Sequence, residues 1–352
     1  MTAPSRSATA AFFLLFSFAF CSCEHKKPVA IKRGFYYWKS SESSFDSAEI
    51  NAVKKMGIKK MYVKYFEVEF DKVYGVRPTS KSPINFRYAD NAKVLEYAEI
   101  IPVVFIKNEV LINTTLEEID SLAANILFLL NKRYKDQMLY NKGFEELQVD
   151  CDWTASTKDK YFLLLRSIKK KSGTIISCTL RMYPYKYPNL MGVPPVDKAT
   201  LMCYNLNNPL DNENKNSILD VAELKKYLTT KQSYPLHLDL VLPVHSWMLC
   251  FQNNQFTGIL SNQNAVNQIA QPIKPLWYSV TKDTVIGDIF LRVGDKIKYE
   301  DVSEKQLKEV AGLLKSKFNF TDTTTISFFH LDKTTLNKYS NETLDHLYNS
   351  FK

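Results

Sequence analysis

Leu147-Gln148-Val149-Asp150-Cys151-Asp152-Trp153 is a short run of mostly apolar residues interrupted by two acids spaced two apart. Its length and composition suit a strand better than a helix. Successive side chains on a strand point to opposite faces, so Asp150 and Asp152 share one face. Two carboxylates side by side on a buried face repel, and the pKa of at least one rises unless donors or a metal compensate. Such a pair points to a site; the alternative is a hydrogen-bonded pair that only holds neighbouring loops.

Outward from this stretch, β-rich runs alternate with helical patterns along the chain. Strands are expected at Ala30 to Trp38, Met61 to Val68, Ile100 to Ile106, Leu147 to Trp153, Thr174 to Leu180, Thr200 to Tyr204, Leu238 to Trp247 and Thr324 to His330. Helices are expected at Phe45 to Met56, stopped by Gly57, and at Leu116 to Tyr134, Lys158 to Lys170 and Ser217 to Leu228. Strands separated by helices imply parallel neighbours, because parallel pairing needs crossover connections. The expected fold is an α/β (β/α)8 TIM barrel over residues 30–352. Residues 251–302 are too many for a βα loop and carry strand patterns of their own, such as Thr284 to Val293. They read as a small β-rich insertion between strands seven and eight.

The chain is 45% apolar and 13% aromatic, enough for a large core, and no linker rich in Pro, Gly or Ser divides it. A single globular unit and a monomer are expected. The net charge of +9 comes mainly from scattered lysines such as Lys54-Lys55 and Lys169-Lys170-Lys171, which suit solvated helix faces. No module combining arginines with aromatics suggests a nucleic-acid partner. Cys151, Cys178, Cys203 and Cys250 lie in or beside strand-like runs, which favours buried thiols over a disulfide framework. His245 and His330 end neighbouring strands near Asp332, but hydrogen-bonded rim histidines are the simpler reading, and no metal is expected. No phosphate-cradling glycine motif occurs, and no cofactor is expected.

In a barrel of this kind the ligand site lies at the C-terminal ends of the strands. That rule places Tyr36, Trp38, Glu67, Asp150, Asp152, Trp153, Thr154, Arg181, Tyr204, Asn205, Trp247 and His330 around the mouth. Aromatic rings stack on the apolar faces of sugars, while carboxylates and amides hydrogen-bond hydroxyls, so this rim suits a glycan or glycoconjugate. Tyr183-Pro184-Tyr185-Lys186-Tyr187-Pro188 forms an aromatic loop after strand five, a sugar platform or simple packing.

These residues resemble those of the chitinase-like barrels of glycoside hydrolase family 18. That family ends strand four in D-x-x-D-x-D-x-E, and this chain reads Leu147-Gln148-Val149-Asp150-Cys151-Asp152-Trp153-Thr154. Met202-Cys203-Tyr204-Asn205 is similar to the family's M-x-Y-D on strand six, and Leu242-Pro243 leads into Trp247 before a β-rich insertion. The resemblance implies that Asp152 and Tyr204 hold an acetamido group, while a final Glu would protonate the glycosidic oxygen. Thr154 stands in place of that Glu, and a threonine hydroxyl is far too weak an acid for the role. Leu147 replaces the first Asp, so the carboxylate chain that would tune Asp150 is shortened.

The expectation is a barrel that binds a glycan without family-type hydrolysis. A glycoside hydrolase with relocated carboxylates, Glu67 as acid and Asp152 as partner, is the alternative. The pair would need a separation of about 5–5.5 Å for retention or about 6.5–9.5 Å for inversion. A non-enzymatic surface scaffold that binds another protein is a further reading.

The N-terminus speaks to location. Arg6 is the only charged residue in the first 22, and the apolar run from Ala10 to Phe20 is much shorter than the roughly 20 residues of a spanning helix. Phe20-Cys21-Ser22-Cys23, followed by Glu24-His25-Lys26-Lys27, resembles a bacterial lipobox with Cys23 as the lipidated residue. Residues 1–22 are expected to be a signal peptide and residues 23–29 a tether. The protein would then be an exported lipoprotein, anchored in the bacterial cell envelope through its N-terminal lipid.

Overall fold

The computed structural model describes residues 31–140, 143–211, 213–229, 234–260, 266–321 and 323–351. The expected signal peptide, Cys23 and the tether lie outside the described residues. In chain order the strands are β1 (Lys32–Tyr37), β2 (Lys60–Asp71), β3 (Gly75–Thr79), β4 (Glu99–Ile106), β5 (Glu146–Asp150), β6 (Ile175–Arg181), β7 (Lys198–Met202), β8 (His237–Pro243), β9 (Trp247–Gln252), β10 (Gln255–Leu260), β11 (Ala270–Lys274), β12 (Trp277–Val280), β13 (Thr284–Ile286), β14 (Ile289–Leu291), β15 (Lys296–Glu300) and β16 (Thr325–Phe329).

Eight of them close a parallel barrel in the order β1-β2-β4-β5-β6-β7-β8-β16, with β16 pairing back onto β1. This is the expected (β/α)8 architecture. The helices pack outside through apolar stripes at helical spacing. On Ile119–Gln137 the buried residues include Ile119, Leu122, Ala123, Ile126, Leu130 and Tyr134. A capping box between Asp46 and Glu49 starts the helix Ser47–Lys55, and Gly57, at φ +61°, follows its end. Helix Lys158–Ser172 ends on Gly173, also left-handed at φ +66°. Gly34 has a different purpose. A Cβ there would lie 2.3 Å from Ser327 Oγ and 3.1 Å from Thr325 Cγ2, so a larger residue would force these β16 side chains to shift where β1 closes the barrel.

The barrel floor, at the N-terminal ends of the strands, is held by charge. Glu146 accepts from Lys60 at 2.8 Å and Lys198 at 2.9 Å, and Lys198 also reaches Asp239 at 2.9 Å. Ser177 donates to Glu146, and the Thr325 backbone N–H donates to Asp239 at 2.7 Å. Glu146 and Asp239 are buried. Burial works against the Asp239 carboxylate, but His237, Lys198 and the Thr325 amide together hold its pKa below the ordinary value.

Several boundaries differ from the sequence expectation, most of all around strands two and seven and at the start of the insertion. Strand two continues to Asp71 and turns back through Gly75 into β3, an antiparallel hairpin on the outside of the barrel. The run from Leu238 to Trp247 is two strands, because β8 ends at Pro243 and Trp247 begins β9 in a separate sheet. The extra β-structure therefore starts at Trp247. It is a five-stranded antiparallel sheet in the order β10-β9-β15-β12-β11, with the hairpin β13-β14 beside it. Its own core is formed by Met248, Cys250, Val280, Leu291 and Ile297. Cys151, Cys178, Cys203 and Cys250 are free and buried.

Candidate ligand site at the barrel mouth

β5 ends at Asp150, where pairing to β6 has already stopped at Val149 opposite Cys178. The two acids of the motif therefore part. Asp150 is half-buried and accepts a hydrogen bond from Thr179 Oγ1 at 2.5 Å. Asp152 stands beyond the strand on the exposed rim, 3.3 Å from Arg181 Nη1. Arg181 donates its other terminal nitrogen to the Asn205 carbonyl at 2.8 Å, which ties the ends of β5, β6 and β7 together.

Burial pushes the Asp150 carboxyl up to about 7, and the neighbouring Asp152 charge adds to the effect while Thr179 and Arg181 oppose it. The folded protein therefore keeps this proton at pH values where an unfolded aspartate, near 3.9, has lost it. Asp150 contributes stability that is fully present below about pH 4 and is lost as pH rises through about 7. His245 behaves oppositely. Burial, with His330 adding, pushes its imidazole down to about 3, so its contribution is present above the ordinary histidine value and is lost on acidification. Replacing Asp150 isolates its share. Melting temperatures should show Asp150→Asn gaining on the native protein between pH 5 and pH 8; a constant difference between the two proteins would contradict the assignment.

Aromatic rings build the floor and walls. Tyr36 stacks on Tyr62 at 4.7 Å, and above them Trp38 lies 5.5 Å from Phe329 and 6.3 Å from Phe105. Phe329 also meets Tyr204 at 5.7 Å and His245 at 5.3 Å, and His245 meets Trp247 at 5.6 Å. Trp38 and Trp247 are half-buried, so part of each ring faces the opening. Trp247 is aimed by its indole N–H, which donates to Glu300 at 2.8 Å from β15. Lys64 lies 5.3 Å from the centre of the Trp38 ring and pairs with Glu67 at 2.5 Å.

Two cavities open at this end. One of about 260 Å³ is lined by Asn205, His245, Trp247, Phe329 and His330. The other, of about 410 Å³, is lined by Trp38, Lys39, Glu42 and Lys333. They share His330, Asp332 and Thr334 along one edge. Asn205 Oδ1 and His330 Nδ1 are buried without a hydrogen-bond partner in the protein. A buried polar atom left unpaired costs about 1–3 kcal/mol, so a ligand supplying a partner regains that cost.

Not every expected residue faces this cleft. Trp153 is 5% exposed, stacks on Tyr161 at 5.1 Å and donates to the Met191 carbonyl at 3.3 Å. It belongs to the barrel–helix packing, because alternation past Asp152 turns it outward. Tyr36 lies beneath the cleft, with its hydroxyl donating to Gln148 at 2.7 Å inside the barrel. Tyr204 is 4% exposed and closes the floor beside the carboxylates. Thr154 is exposed, with its hydroxyl turned to Ser156 and Thr157. The relocated pair is doubly committed: Glu67 is bound to Lys64, and Asp152 to Arg181. Phe329, Lys64 and Glu300 also contact the residues of the mouth and were not among those expected there. Alternation along the eighth strand could have found Phe329; nothing near Glu300 in sequence ties it to Trp247. Among the described residues, no three His, Cys, Asp or Glu side chains gather as a metal ion would need.

The path of the barrel matches solved structures. Catalytic domain 2 of the Group II chitinase of Ostrinia furnacalis, a mutant solved with penta-N-acetylchitooctaose, superposes with a TM-score of 0.54 at 12% identity, covering 92% of this chain and 97% of that one. The fold is that of the chitinase-type barrels. The spore cortex-lytic enzyme SleL of Bacillus cereus matches this chitinase-like barrel with a TM-score of 0.53 at 14% identity, over 93% of this chain and 75% of that one. The Group IV chitinase of Ostrinia furnacalis gives 0.53 at 9% identity, over 91% and 99%. No family model matches the sequence, and no curated protein matches it.

Proposed function

We propose that the chitinase-like barrel binds a glycan or glycoconjugate at its C-terminal mouth and does not cleave it. One observation carries this reading: the acids at the end of β5 are committed to the protein, Asp150 to Thr179 and Asp152 to Arg181, and position 154, where the resemblance expects the proton donor, is a threonine. What remains is recognition. Trp38 and Trp247 offer ring faces, and Asn205 and His330 offer unpaired polar atoms for hydroxyl or amide groups. The solved relatives lend support, since one of them carries an N-acetylglucosamine oligomer.

A glycan array with native protein, Asp152→Ala and Trp247→Ala tests the reading. Saccharide binding by the native chain, weakened in both folded variants, is the expected result. No binding to any glycan would sink it and favour the protein-binding scaffold instead. Hydrolysis of a bound glycan would favour the relocated-carboxylate enzyme. We also propose export with acylation at Cys23; a mature N-terminus starting elsewhere, or Cys23 without added lipid mass, would overturn that part.

A further inference from the structure

A cavity of about 570 Å³ lies outside the mouth, on the inserted sheet. One face of β9 carries Trp247, Leu249 and Phe251 in turn. Trp247 lines the mouth and Phe251 lines this outer groove, so the two sites are about 13 Å apart along a single strand. Leu249 and Lys298 between them are buried, and Lys298 donates to the Pro209 carbonyl, so residues around Pro209 bridge the two openings.

The groove is built from apolar surface left open to solvent and flanked by cations. Leu210, Phe256 and Ile273 are 48%, 41% and 50% exposed. Beneath them Phe251 packs on Trp277 at 5.1 Å, and the Trp277 indole donates to the Glu213 carbonyl, which fixes the floor. Lys274 lies over the Trp277 ring at 5.0 Å and pairs with Glu213 at 3.0 Å, while Lys296 donates to Asn254 at 2.9 Å. The one carboxylate lining the groove is thus answered by Lys274, and Lys296 faces a neutral amide. The local balance is one positive charge in excess, beside an aromatic face.

We propose that this groove is a second subsite, taking a saccharide unit that carries an anionic oxygen group, carboxylate or phosphate. The apolar face of the sugar lies on Phe256, and the acid reaches Lys296 and Lys274. This rests on the reading of the barrel mouth as a glycan site, and it adds the substrate class: an acid-bearing polymer long enough to cross Pro209 and occupy both sites.

The test uses the native protein and a Lys274→Gln/Lys296→Gln variant, whose changes are at the surface, with Trp247→Ala in parallel. The probes are polygalacturonate for carboxylate, phosphomannan for phosphate and a neutral N-acetylglucosamine oligomer. Native protein should bind at least one acidic polymer, more weakly as salt rises, and the double variant should lose on the order of tenfold or more of that affinity. Its binding of the neutral oligomer should be unchanged. Equal affinity of native and double variant for both acidic polymers overturns the groove. Loss in the double variant with no effect of Trp247→Ala supports the groove and overturns the reading of the mouth.

Discussion

Asp239→Ala should destabilise the barrel more than any substitution at its mouth, by about 3–5 kcal/mol, because it leaves Lys60 and Lys198 to share one carboxylate in a largely buried network. Asp239 is fully buried and shares Lys198 with Glu146. Two lysines and two acids balance on the barrel floor, so deleting one acid leaves an excess positive charge in a low-dielectric interior. It also removes the acceptor of the Thr325 amide, on the strand that closes the barrel against β1. A native domain is stable by only about 5–15 kcal/mol, so the variant should melt roughly 10 °C or more below the native protein. Lys198→Met in the same background should recover much of the loss, since removing both charges avoids the uncompensated one. A thermal melt of the four proteins of this double-mutant cycle checks it. A shift of only about 1 kcal/mol for Asp239→Ala, the scale of a surface ion pair in general, would show that the floor network does not hold the barrel.

The second large effect is a gain. Thr154→Glu should confer hydrolysis of an N-acetylglucosamine oligomer, on the order of 100-fold or more above the native background, because a positioned general acid contributes about that much or more. Position 154 follows Asp152 by two residues, is exposed, and follows a tryptophan that turns into the helix layer. A longer carboxylic side chain there stands where the resemblance expects the proton donor. Adding Asp152→Ala should abolish the gained turnover while leaving the acid in place. Product analysis by mass spectrometry decides it. Binding of the oligomer without any turnover would mean that the Arg181–Asp152 pair, and not the missing acid, disables the site.

How much of this was legible beforehand depends on whether the signal is local. The strands that close the barrel show themselves as short apolar runs between helical stripes, and their order alone implies a parallel barrel. Asp150 and Asp152 draw attention to the end of the fourth barrel strand, because two acids two apart in an apolar run are rare without a partner or a site. Their separation into a half-buried proton holder and an exposed partner of Arg181 is set by where β5 stops, and strand ends depend on pairing with neighbours far along the chain. The corner at Val244, His245 and Ser246 was hidden for a related reason. An unbroken apolar run looks the same whether it lies in one sheet or passes from one sheet to another. The aiming of Trp247 by Glu300 spans 53 residues and leaves no local pattern. Trp153 reads as a residue of the rim until its strand ends and the alternation turns it toward Tyr161.

The central claim is that the mouth holds a saccharide and leaves it whole. Trp38 and Trp247 provide intrinsic probes at its two cavities, so a fluorescence titration with saccharides can be followed by mass analysis of the same sample. The account predicts a saturable change in emission, lost in a Trp38→Phe/Trp247→Phe variant, with the saccharide recovered at its original length. Emission unaltered by every saccharide tried, or recovery of shortened chains from the native protein, would contradict it.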